Sequence, residues 1–120
     1  MNINDSVRML IQLPIAFESP DNAKSLIDLV KESGYVNHAR AIGEAEIRAG
    51  LMANPVAVDH WFEYSENKRT SAGWYIVKNA DGTFSIGQVG ASQPPVIFSD
   101  ISDACAAFIK RELEAIIRPT

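Results

Sequence analysis

The 120-residue chain is poor in the residue types that usually announce chemistry. It has one cysteine, Cys105, and two histidines, His38 and His60. A single cysteine excludes an internal disulfide and suits a reducing compartment. Neither histidine has a cysteine at metal-ligand spacing, so no metal site is expected. Long apolar runs are also missing, and none approaches the ~20 residues needed to cross a bilayer. The apolar opening MLIQLPIAF, Met9 to Phe17, is interrupted by Gln12 and Pro14 and follows Asp5 and Arg8 rather than a basic segment. It reads as neither a membrane span nor a secretory signal, and the expected location is cytoplasmic. There is no GxxxxGK[ST] and no GxGxxG. IGQVG, Ile86 to Gly90, lies in a strand-like context instead of opening a helix, so phosphate cradling is not supported and no cofactor is expected.

Positive charge is scarce too. Fifteen acids face eleven bases, a net charge of −4. Nucleic-acid binding needs clustered Lys and Arg, so that class is disfavoured. The imbalance is local: residues 1–67 carry ten acids and five bases, whereas residues 68–120 carry five acids and six bases. The acidic surplus therefore sits in the first half, where a basic partner would be attracted. With 47% hydrophobic and 22% charged residues, the composition predicts one packed domain over residues 1–120.

What is present reads as α+β. Ser19-Pro20-Asp21 is a helix-start signal, a cap followed by proline at the first turn and an acid for the dipole. Ala23, Leu26, Ile27 and Val30 follow at helical spacing, and Ser33-Gly34 closes the element. A second helix is expected over about 37–53, weakened by Gly43 and Gly50 and ended by Asn54-Pro55. A third runs from Val56 to about Ser65 with Val58, Trp61 and Phe62 as its apolar contacts. At Gly73 the period changes to two. Trp74 to Asn79 and Phe84 to Gln88 read as strands joined by an Asp81-Gly82 turn. Val96-Ile97-Phe98 reads as a third short strand, and if it is an edge it permits homodimerisation. Ser99 or Asp100 caps a last helix whose stripe is Ile101, Cys105, Phe108, Ile109, Leu113 and Ile116. Three N-terminal helices, a three-stranded antiparallel meander and a C-terminal helix packed on the sheet are the expected architecture.

Two stretches invite a chemical reading. Asp59, Glu63 and Glu66 recur at steps of four and three, which places them on one side of the third helix. They form either an acidic patch for a cationic partner or an ordinary solvated face. Lys68 and Arg69 follow at once and join the candidate partner-binding set. In SENKRTSAGWYIV, Ser65 to Val77, the hydroxyls and cations precede a strand without a glycine-rich turn into a helix. That favours a scaffold, with the tip around Asn67 to Ser71 free to meet a partner. Cys105 falls on the apolar stripe between Ile101 and Ile109, where a buried free thiol is the ordinary outcome. A Cys105–His pair, as in a small cysteine-dependent hydrolase, stays open as an alternative.

Three segments carry a resemblance. SGYVNHARAI (33–42), ANPVAVDHWFEYSENKRTSAGWYIV (53–77) and FSDISDACAAFIKRELEAI (98–116) resemble small bacterial immunity proteins of polymorphic-toxin and contact-dependent growth inhibition systems. The resemblance spans roughly residues 24–116. It implies a non-catalytic protein that binds a cognate toxin domain in the producing cell's cytoplasm and covers its active or substrate-binding surface. It assigns no contact residue in this chain. A structural or adaptor domain without a toxin partner is the remaining alternative.

Overall fold

Residues 2–68 and 73–117 are described by a computed structural model, Lys68 by its backbone alone. The chain opens with two helices that sequence patterning did not separate, α1 (Ile3–Ile11) and α2 (Leu13–Glu18). Asn2 caps α1, its side-chain oxygen accepting from the Asp5 amide at 2.8 Å. Pro14 stands in the first turn of α2, where its missing N–H costs nothing. Next comes α3 (Leu26–Glu32), six residues later than Ser19-Pro20 suggests. The reason is local. Ser19 is extended, as a residue before proline prefers, and Asn22 binds the turn with its side chain. Its amide donates to the carbonyls of Phe17 (3.1 Å) and Lys24 (2.9 Å), and its oxygen accepts from the Lys24 N–H. The working cap is Ser25, which accepts from the Asp28 N–H at 3.2 Å. Gly34, at φ 82°, ends α3 in the left-handed region as expected.

The expected helix over 37–53 is divided. α4 (Tyr35–His38) and α5 (Glu44–Ala53) are separated by an irregular turn. Gly43 is the extended cap of α5, and its N–H donates to Glu46 Oε1 at 2.8 Å. The carbonyls freed at the break are satisfied from far away. Lys110 Nζ donates to Ala39 O and Ile42 O, each at 2.8 Å. After Pro55 comes α6 (Val56–Lys68), then β1 (Trp74–Lys78), β2 (Phe84–Gln88), β3 (Val96–Phe98) and α7 (Ile101–Ile117). Asp100 is the cap of α7, accepting from the Asp103 N–H at 2.9 Å. The architecture is thus α+β: seven helices and one antiparallel sheet among the described residues, with the C-terminal helix packed on the sheet. The helical part before the sheet comprises six segments.

The sheet order is β1-β2-β3, with Ile76 opposite Ile86 and Ser85 opposite Ile97. Gly82, at φ 89°, supplies the hairpin bend. The hydroxyl and amide of Thr83 both donate to Asp81, holding its carboxyl below the usual range. Backbone bonds Val89 N–H to Gly73 O and Asn79 N–H to Thr83 O flank the β1–β2 ladder. Antiparallel pairs alternate, so Tyr75 and Val77 bond to β2, while Ile76 turns its N–H and C=O to the outer edge of β1. That edge is closed by α6. Ser65 Oγ accepts from the Ile76 N–H at 2.9 Å and donates to the Ile76 carbonyl at 3.2 Å. Ser65 is fully buried. Ser65→Ala strands a buried donor and acceptor together, and we expect it to lower unfolding stability by about 1–3 kcal/mol. A urea midpoint that falls at constant slope is the measurement, and an unmoved midpoint would show that the edge is satisfied some other way.

The core gathers around α7. Its buried residues include Cys105, Phe108, Ile109 and Leu113, and the helix contacts α5 and all three strands. Ile101, expected on this stripe, is instead 41% exposed at the start of the helix. Trp61 lies with its ring edge-on to Tyr64 and Phe108, centroids 5.3 and 6.1 Å away. No helix among the described residues is long and apolar enough to cross a membrane.

Candidate functional site: the acidic face of α6

Helix α6 has two unlike sides. Ala57, Val58, Trp61, Tyr64 and Ser65 are buried. Three of them fasten the helix to different parts of the fold: Trp61 Nε1 donates to Ile11 O at 3.0 Å, Tyr64 OH to Glu112 Oε2 at 2.5 Å, and Ser65 to β1. The steps from 57 through 61 to 64 and 65 are one turn each, so these residues share one side. The opposite side carries Asp59, Glu63 and Glu66, all exposed. The predicted row therefore exists as a row, on a helix held rigidly from behind.

A fourth acid joins it. Asn67 Nδ2 donates to Glu18 Oε1 at 3.4 Å, which brings the end of α2 beside the end of α6. Glu18 is 41 residues from Asp59, and no sequence spacing reveals the neighbourhood. Only the packing of α2 on α6 does. Five other acids have cationic partners, whereas Asp21, Asp28, Glu44, Glu46 and Asp81 have no ion pair among the described residues. Asp5 faces Arg8, Glu32 faces Lys24, Asp100 and Asp103 share Arg48, and Glu114 lies near Lys110. Among the described residues Glu18, Asp59, Glu63 and Glu66 make no ion pair. Of the two cations expected beside them, Lys68 ends α6 but its side chain lies outside the described residues, and so does Arg69 altogether. The recognition tip proposed within 67–71 is likewise described only at Asn67 and the Lys68 backbone.

The other candidate groups are placed elsewhere. Cys105 is fully buried on α7, and burial pushes its thiol up to about 12. His38 closes α4 and His60 stands on α6, both half-buried. No group of three or more His, Cys, Asp or Glu that could hold a metal ion occurs among the described residues. A groove of about 380 Å³ runs between α1 and α5, walled by Val7, Ile11, Ala49 and Gly50 with Arg8 and Glu46 at its rim. Gly50 permits this close crossing, since a Cβ there would sit 2.7 Å from Val7 Cγ1. The groove is lined by no histidine or cysteine.

The charged residues of α7 are spent on the fold. Lys110 lies over the Tyr35 ring at 4.7 Å and donates to its hydroxyl at 2.5 Å, and that hydroxyl in turn donates to Glu114. Arg111 stacks on Trp74 at 5.6 Å. Glu112 is 2% exposed and accepts from Tyr64, whose hydroxyl is pushed above its ordinary range by desolvation first and by the neighbouring carboxylate second. These groups give a pH prediction. The Cys105 thiol titrates higher in the fold than its ordinary 9.0, so the fold favours the neutral form. That stability is complete below pH 9 and is lost as pH rises from 9 towards 12, and Tyr64 adds in the same direction above 10. Denaturation midpoints measured across this range are expected to fall, and a thiol reagent at pH 8 is expected to modify Cys105 only after unfolding.

Comparison with protein-family models, with curated proteins and with solved structures returns no match to this chain.

Proposed function

We propose that this chain is an immunity protein that neutralises a cognate toxin domain by stoichiometric binding, with the acidic face of α6 laid over a basic active or substrate-binding surface. The observation that carries the reading is the exposed row Asp59, Glu63 and Glu66, without an ion pair among the described residues, on a helix whose other side is locked into the core, with Glu18 of α2 beside its end. Fixed carboxylates can stand in for phosphate charge and steer a cationic partner into register. A rigid presenting helix also keeps the ordering cost of association low. The sequence resemblance to immunity proteins of toxin systems points the same way. The cysteine-hydrolase alternative is disfavoured by the fully buried, hard-to-ionise Cys105, because the thiolate is the reactive form.

The deciding experiment is to look for a large secreted protein encoded by a neighbouring open reading frame and to pair this chain with its C-terminal domain. The expected result is a one-to-one complex and restored growth of cells expressing that domain. Absence of both would end the immunity reading and leave an adaptor role.

A further inference from the structure

The sheet has two edges, and the fold treats them differently. The β1 edge is sealed by Ser65 of α6. At the other edge, β3 has no further strand beside it among the described residues. The register shows what it presents. Ser85 and Gly87 bond to β1, so Phe84 and Ile86 bond to β3 through their partners Phe98 and Val96. Ile97 then turns both its N–H and its C=O outward, and neither has a hydrogen-bond partner among the described residues. Ile97 is 56% exposed and Val96 50%. Such an edge is a template for another strand.

Charge argues for which strand. No charged residue occurs from Val89 to Ser99. The nearest acids, Asp100 and Asp103, are held by Arg48. In a molecule of net charge −4 this uncharged strip lets two copies approach without like charges facing each other. The cationic surface assigned above to the toxin has nothing to gain from it. Geometry agrees. Two antiparallel β3 strands related by a two-fold axis at Ile97 would exchange both outward groups of that residue, N–H to C=O in each direction. Pro95 is the next outward position and has no N–H to give. It therefore contributes a carbonyl only, which keeps the pairing short and discourages continuation into a longer ladder.

We propose that β3 pairs with β3 of a second copy about a two-fold axis through Ile97, joining the two three-stranded sheets into one. The interface is isologous and small, so the dimer is weak and concentration-dependent. It leaves the α6 acids free and does not depend on the toxin reading.

Sedimentation of the purified chain alone, from low micromolar to near-millimolar concentration, is expected to show a shift from monomer to dimer mass. Ile97→Lys sets two lysines on Cα atoms about 5.5 Å apart across the axis and is expected to weaken the dimer strongly by like-charge repulsion while leaving the circular dichroism spectrum and melting curve unchanged. Ile97→Cys brings two Cα atoms within disulfide range, ~4.4–6.8 Å, with native Cys105 buried and silent. Mild oxidation should link it far faster than Val36→Cys, a similarly exposed site on α4 (51%). A chain that stays monomeric throughout, a dimer not weakened by Ile97→Lys, or equal cross-linking of the two cysteine variants would each overturn the proposal. So would an Ile97 amide that gains hydrogen-exchange protection only when a different protein is added.

Discussion

Trp61→Ala is expected to destabilise the fold by about 3–5 kcal/mol, the range for emptying a buried aromatic site. Trp61 has no solvent exposure, and its ring meets Tyr64 and Phe108 edge-on. Its indole N–H also satisfies Ile11 O at the end of α1, a carbonyl with no successor within that helix. The loss would be a large part of the ~5–15 kcal/mol that holds an ordinary domain together. Trp61→Phe separates the two contributions. It keeps most of the apolar volume but leaves the Ile11 carbonyl buried and unpaired, costing about 1–3 kcal/mol. Urea denaturation of both variants gives the comparison. A loss below ~1 kcal/mol for the alanine variant would mean that the site collapses freely and that α6 is not pinned at this residue.

That pinning is what connects the fold to the candidate site, and it was only partly legible in the sequence. The acidic row could be read because Asp59, Glu63 and Glu66 lie within a single helix, where spacing alone determines a side. The strands and the Asp81-Gly82 turn could be read for the same reason, as local chemistry with a local outcome. What could not be read depends on distant partners. The break between α4 and α5 is stabilised by Lys110, some seventy residues away, through Ala39 O and Ile42 O. Glu18 joins the acids only because α2 packs on α6. Glu112 looks like a surface residue of an amphipathic helix, yet it is buried beside Tyr64.

The early helix-start signal at Ser19-Pro20 went wrong for a more instructive reason. Both Ser19 and Ser25 are followed by an acid near the expected capping distance, and both are competent caps. Asn22 decides between them by tying Phe17 O and the Lys24 backbone into a turn, which delays the helix to Ser25. A short polar side chain competing for backbone groups outweighed the cap-proline signature. The chain before the sheet forms several short helices, each stabilised by packing on its neighbours rather than by its own length.

Reversing the acidic face, Asp59→Lys with Glu63→Lys and Glu66→Lys, is expected to slow toxin association by on the order of 10–10³-fold at low salt, the span that electrostatic steering contributes. The unfolding midpoint should barely move, because all three side chains are exposed and make no ion pair among the described residues. Association should also lose its salt dependence or reverse it, since screening now relieves a repulsion. Stopped-flow association rates at several ionic strengths, beside a denaturation curve, separate the two effects. A fourth change, Glu18→Lys, tests the neighbour that only the tertiary structure supplies, and it should deepen the defect if the row acts as one surface. Unchanged association rates in the triple variant would remove this face from the proposed interface. A rate that falls together with the unfolding midpoint would instead mean that the acids support α6, and the electrostatic account would fail.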